Sequence, residues 1–155
     1  MVKIKFAPRD VFEQILEWAV IPTFDLVIQY GDNGVFIVKR SIAPYKNKWA
    51  LPGLRMYKNE NINDTLTRIA KNEIGIGIDT ANKILLGQYI GKFKTENNRQ
   101  DISTGYMVKA IDNKDYKINS DHFSSHKLIK SKSEIPSDIG AMYRYYLEIY
   151  FNSLN

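Results

Sequence analysis

The chain has 155 residues, 44% of them hydrophobic and 25% charged, the balance of an ordinary globular protein, and at about 100–200 residues per domain it is expected to form one domain over 1–155. It contains no cysteine, which excludes a disulfide framework, a Cys-based metal site and a thiol nucleophile, and no apolar run reaches the roughly 18 residues a membrane span needs. Lysine and arginine outnumber aspartate and glutamate 22 to 17; this favours anionic partners such as nucleotides, but the excess is dispersed and argues against a nucleic-acid-binding face.

The first residues, Met1 to Phe6, have neither the apolar run nor the cleavage site of a secretory signal, so the cytoplasm is the expected compartment. A helix is predicted next. Asp10 caps it with Glu13 three residues on, Val11, Phe12, Ile15, Leu16 and Ala19 recur at helical spacing, and Pro22 stops it. Strands at 24–30 and 35–40 enclose Gly31-Asp32-Asn33-Gly34, where Asn and Gly tolerate the positive φ of a hairpin turn. Pro52 and Gly53 break the segment 49–55 into short strands. Asn61 then caps a second helix that runs to about Ile74 and stops at Gly75, with Ile62, Leu66, Ile69 and Ala70 as packing positions. Strands are predicted at 83–93 and 105–111, separated by a polar loop over 94–103, with a short strand near 127–129. A terminal helix begins near Ser137. Its packing face is Ile139, Met142, Tyr146 and Ile149, and the exposed remainder is offered to a dimer interface. The order describes a single α+β unit.

The informative stretch is 53–76, where a glycine-broken loop runs into a capped helix carrying carboxylates. Such a loop can orient oxygen ligands, and Mg²⁺ needs only one or two carboxylates beside carbonyls and waters. In the plainer reading, Glu60 and Arg68 form an ion pair that ties loop to helix, while Glu73 is solvated like most helical glutamates.

The string Gly53-Leu54-Arg55-Met56-Tyr57-Lys58-Asn59-Glu60, then seven residues to Arg68, then Glu73-Ile74-Gly75-Ile76, resembles a Nudix box. That box is the loop–helix–loop signature of hydrolases acting on nucleoside diphosphates linked to another group. The resemblance implies the Nudix fold, an α/β/α sandwich with a mixed sheet between helices. The usual box has five residues between its glycine and first glutamate, a Glu after the Arg, and a Glu-Glu pair before the last Gly. Here the first gap is six, Ile69 follows Arg68, and Asn72 takes the first place of the pair. Residues 69, 72 and 73 share one face at α-helical spacing, so one carboxylate remains of three.

This modified box is similar to that of the GDP-mannose mannosyl hydrolase branch, and the similarity extends over most of the chain to about Leu128. Carried over residue by residue, it implies that Gly53, Glu73 and Asp121 hold Mg²⁺, or Mn²⁺ in its place, with Asp121 standing where the branch has Gln. His122 is then the catalytic base, Arg40 and Arg55 bind phosphate oxygens, Tyr106 adds a hydrogen bond, and Asp25 assists the positively charged sugar. Water attacks the anomeric carbon of a nucleoside diphosphate-linked sugar, and the branch also implies a homodimer. Two other readings stay open. One is P–O cleavage of ADP-ribose or a (d)NTP, and the other is a non-catalytic Nudix domain that binds nucleotides or RNA.

Overall fold

The computed structural model describes residues 5–111 and 115–154, so Met1, Val2, Lys3 and Ile4 of the N-terminal stretch read above lie outside the described residues. The chain opens with α1 (Arg9–Trp18), β1 (Val20–Gln29), β2 (Val35–Arg40) and the short strands β3 (Trp49–Ala50) and β4 (Gly53–Arg55). After α2 (Ile62–Ile69) come β5 (Ile78–Phe93), β6 (Arg99–Ala110), β7 (Phe123–Ile129) and α3 (Ala141–Ser153). The strands form one seven-stranded sheet in the order β3-β2-β1-β6-β5, with β4 paired to β1 and β7 to β2. β1 and β6 are parallel, and the other pairs are antiparallel. With helices on its flanks, this mixed sheet is the α/β/α sandwich. No helix among the described residues is long and apolar enough to cross a membrane.

The β1–β6 register is unbroken from Val20↔Gln100 to Gln29↔Lys109, so side chains alternate strictly between the two faces. Thr23 and Asp25 on β1 therefore share a face with Asp101, Ser103 and Gly105 on β6. A Cβ on Gly105 would lie 2.5 Å from the Tyr146 ring, which puts α3 directly over this face. Phe24 and Tyr106 point the other way and stack with ring centroids 6.2 Å apart.

α2 forms where the sequence indicates. Asn61 accepts a hydrogen bond from the Asp64 N–H at 2.9 Å while its own N–H donates to the Asp64 carboxylate at 3.0 Å, a closed capping box. Leu66, Ile69 and Ala70 are fully buried, whereas Ile62 is exposed. The helix then widens into a π turn over Ala70–Ile74 before Gly75 closes it at φ 75°, a departure from regular winding that is frequent at functional sites. The extra residue buries Ile69 and Glu73 but leaves Asn72 exposed, so 69, 72 and 73 do not form the shared face that α spacing predicts.

Other expectations shift. α1 is preceded by Pro8 with no side-chain cap, and Asp10 sits inside its first turn. Of its apolar positions only Leu16 is buried, and the chain turns extended at Ala19, before Pro22. The positive φ values of the β1–β2 turn fall on Gly31 and Gly34, not on Asn33. β6 begins at Arg99 because partners on both sides, β1 and β5, extend the ladder into residues that read as a polar loop. α3 starts at Ala141 and buries Tyr143, Leu147, Tyr150 and Phe151 beside the predicted Met142 and Tyr146.

Candidate active site

The loop before α2 is braced by a buried ion pair. Arg68 donates from Nε to Glu60 Oε2 at 2.7 Å and from Nη2 to Oε1 at 2.9 Å, the two-pronged geometry that suits a guanidinium. Nη2 also donates to the Arg55 carbonyl at 2.7 Å, and the guanidinium lies 3.8 Å from the centre of the Tyr57 ring. Burial pushes the Glu60 carboxyl up, but the bonds from Arg68 and the Tyr57 N–H outweigh it and hold its pKa below the usual range. Glu60 thus shapes the loop and is not offered to a ligand.

Glu73 is not solvated. Only 1% exposed, it faces His122, whose Nδ1 donates to Glu73 Oε1 at 2.7 Å. Backbone bonds from Lys117 N to Ile74 O and from Asn119 N to Glu73 O, both 2.9 Å, staple the loop carrying His122 to the helix end. The Ser41 N–H donates to the His122 carbonyl at 2.8 Å and joins that loop to the end of β2. Burial raises the Glu73 pKa, and the facing His122 opposes that rise. With Nδ1 engaged, Nε2 is the nitrogen left to accept a proton.

These elements enclose a cavity of about 300 Å³ lined by five of the predicted residues, Asp25, Arg40, Gly53, Arg55 and His122. Asp25 is 4% exposed. Its Oδ2 accepts from the Ser103 hydroxyl at 2.5 Å, and Tyr146 of α3 donates to the Ser103 carbonyl at 3.0 Å. Burial pushes the Asp25 pKa to about 7, against the pull of Ser103 and Arg40. Gly53 pairs with Asp25 across β4 and β1, where a Cβ would lie 2.1 Å from Asp25 Oδ1. Only glycine leaves that carboxylate its place. The Pro52 carbonyl accepts from the Leu26 N–H at 2.9 Å.

The two arginines differ. Arg40 donates from Nε to the Pro44 carbonyl at 2.6 Å and from Nη2 to the Ala43 carbonyl at 3.3 Å, so part of its guanidinium braces the loop beside the cavity. Arg55 lies 4.2 Å from the Phe12 ring centre and 5.1 Å from that of Tyr57. Burial lowers its pKa, as for a cation short of solvent and receptive to an anion.

Three expected members do not line the cavity: Glu73, which meets it only through His122, and two that lie elsewhere. Tyr106 is on the opposite sheet face, stacked on Phe24, because it is odd-numbered steps along β6 from the cavity-facing Asp101 and Ser103. Asp121 is exposed; its N–H donates to Asn119 Oδ1 at 3.0 Å, and no hydrogen bond or ion pair among the described residues joins its carboxylate to Glu73. The cavity adds residues that sequence reasoning missed: Thr23, Tyr57, Phe93, Arg99, Asp101, Met142 and Tyr143. Arg99 Nε donates to Asp101 Oδ1 at 2.6 Å, and burial raises the Asp101 pKa against that bond. For Arg99 and Asp101 the signal was two opposite charges at i, i+2, which has meaning only once that stretch is known to be a strand.

Among the described residues no three His, Asp or Glu side chains cluster as metal ligands. Of the carboxylates expected to hold a cation only Glu73 is in place, with Oε1 on His122 and Oε2 bonded to none of the described residues. This donor set does not make a protein cage; it fits a cation that keeps water and substrate oxygens as its remaining ligands.

Comparison with known proteins agrees with this architecture. The NUDIX domain profile matches residues 21–130. The low-salt glycan biosynthesis protein Agl8 of Haloferax volcanii is 29% identical over 105 residues, 68% of this chain and 65% of that protein, so the match spans less than two thirds of the relative's length. The MutT NUDIX hydrolase of Burkholderia pseudomallei superposes with a TM-score of 0.71 at 19% identity, covering 83% of this chain and 95% of the other. The NUDIX domain of Shewanella oneidensis NrtR, solved with ADP ribose, does so with a TM-score of 0.70 at 18% identity, covering 88% and 90%. Both likenesses are of fold. The chain belongs to the NUDIX domain family.

Proposed function

We propose that this chain hydrolyses a nucleotide sugar of the GDP-mannose or GDP-glucose type, with water attacking the anomeric carbon and the nucleoside diphosphate leaving. The observation that carries the reading is His122, held by the buried Glu73 and lining one cavity with Asp25, Arg40 and Arg55. A relative that acts in glycan biosynthesis supports the sugar half. The reading includes a single cytoplasmic domain that works as a homodimer, supported by the exposed apolar side chains of α1, where Trp18 is 83% exposed.

Glu73 orients His122, whose Nε2 takes a proton from water as the water oxygen bonds to the anomeric carbon. The C–O bond to the diphosphate breaks, and its electron pair leaves with the nucleoside diphosphate. Arg55 and the free part of Arg40 meet the phosphate oxygens with charge-assisted hydrogen bonds. Asp25, in its ionised form, faces the sugar carbon as positive charge develops there. Glu73 with the Gly53 carbonyl would hold Mg²⁺ or Mn²⁺, which when bound would supply countercharge to the diphosphate.

Hydrolysis of GDP-mannose in ¹⁸O-labelled water tests the reading. The label is expected on the free sugar, with unlabelled GDP. Label on a phosphate establishes P–O cleavage and overturns it.

A further inference from the structure

At the start of β6 the cavity carries a charged pair that the chemistry above leaves unused. Arg99 and Asp101 lie on one face of the strand, joined from Nε to Oδ1 at 2.6 Å, with side chains only 19% and 9% exposed. Asp101 Oδ2 and the terminal nitrogens of Arg99 have no hydrogen-bond partner among the described residues. Between this pair and Asp25 sits Thr23, since the register sets Ile21 beside Asp101, Thr23 beside Ser103 and Asp25 beside Gly105. Thr23 is 8% exposed and lines the cavity. Its buried hydroxyl has no hydrogen-bond partner among the described residues, a state that costs stability and that valine, an equally good strand former, would avoid.

We propose that Arg99, Asp101 and Thr23 form a subsite that reads the hydroxyl groups of the substrate's sugar ring. The proposal rests on the nucleotide-sugar reading and names the part of the site that selects the sugar. A hydroxyl both donates and accepts, so neighbouring ring hydroxyls can donate to Asp101 Oδ2 and accept from Arg99 and Thr23 at once. A phosphate group fits poorly, because Asp101 offers it only like charge. An apolar group would leave the Thr23 hydroxyl, Asp101 Oδ2 and the terminal nitrogens of Arg99 without partners. Size points the same way. At about 300 Å³ the cavity is at the lower limit of ligand pockets, room for a diphosphate and one ring. The sugar is the ring bonded directly to the diphosphate. Phe93, paired with Arg99 across β5 and β6, and Tyr57 give that ring apolar walls.

The test compares wild type, Asp101→Asn and Thr23→Val in kcat/KM for GDP-mannose and its ring-deoxy analogues, in GDP affinity by calorimetry, and in Tm. A site built around substrate hydroxyls loses about 10²-fold or more when the match is broken. Asp101→Asn should therefore lower kcat/KM for GDP-mannose by that order, leave GDP affinity unchanged, and erase the preference for the full hexose over the deoxy analogue. Thr23→Val should move the rates the same way while raising Tm, because a methyl replaces an unpaired hydroxyl; a merely structural threonine would lower Tm. Equal losses on hexose and deoxy sugar, or a matching loss of GDP affinity, overturn the subsite alone. A wild-type enzyme that cleaves ADP-ribose and releases sugar from no nucleotide sugar overturns the parent reading and the subsite with it.

Discussion

His122 Nδ1 lies 2.7 Å from Glu73 Oε1 across 49 residues of sequence, so the carboxylate left on the modified helix and the loop histidine act as one unit. Removing the charge from Glu73 then has two effects: the histidine loses the partner that orients it, and a divalent cation loses its carboxylate. Glu73→Gln is expected to keep the fold, since the buried carboxyl is already disfavoured as an anion by desolvation, and to cut turnover by at least about 10–100-fold. Initial rates against Mg²⁺ concentration check this. Near-wild-type rates at low Mg²⁺ would remove Glu73 from the site.

His122→Gln tests the other half of the unit. Loss of a positioned general base should slow hydrolysis by roughly 10²–10⁴-fold. A silent substitution would leave His122 as a loop residue that only caps Glu73.

How much of this was readable from sequence depended on local signals. The Asn61 cap, the Gly75 stop and the apolar spacing of α2 are encoded within a few residues, and the structure has them. The π turn is not so encoded, and it decides that Glu73 is buried while Asn72 is not. β6 was half hidden because residues 99–103 are polar and become strand only through pairing with β1 and β5 together. Missing those residues hid Arg99 and Asp101, and a first strand read as starting at 24 left out Thr23. It also hid the fact that Tyr106 must face away from the cavity, since facing follows from strand parity.

Glu60 should separate stability from activity. Its carboxylate is the partner of a buried Arg68 and bonds the Tyr57 N–H at 2.7 Å. Glu60→Gln leaves that guanidinium undercompensated, at a cost on the order of 3 kcal/mol, read as a lower urea midpoint at unchanged slope. The rate per folded molecule should barely change. A large rate loss at unchanged midpoint would make Glu60 catalytic.

Gly53→Ala should disturb Asp25 through contact alone. The added Cβ falls 2.1 Å from Asp25 Oδ1 and 2.8 Å from the Phe24 carbonyl, so stability and turnover should fall together. Residues in contact are energetically coupled. In an Asp25→Ala background Gly53→Ala should therefore cost less stability than in wild type. Strictly additive losses would place the clash on the Phe24 carbonyl instead.

Asp25 should leave its mark on the pH dependence of stability. Its pKa rises from 3.8 to about 7 on folding, chiefly by burial, so between those values the folded chain holds a proton that the unfolded chain has released. Stability rises with pH only where the unfolded state binds more protons; here the folded state binds more, so this contribution is complete below about pH 4 and is lost as pH climbs through 7. At 1.36 kcal/mol per pKa unit the full swing is roughly 4 kcal/mol. Urea unfolding of wild type and Asp25→Asn at pH 4, 6 and 8 should show the difference between them moving against wild type as pH rises. Arg40 pulls this pKa down, so Arg40→Gln should extend the loss to higher pH. A difference that is flat from pH 4 to 8 would mean that Asp25 is already ionised in the folded chain throughout, held by Ser103 and Arg40 as a permanent anion.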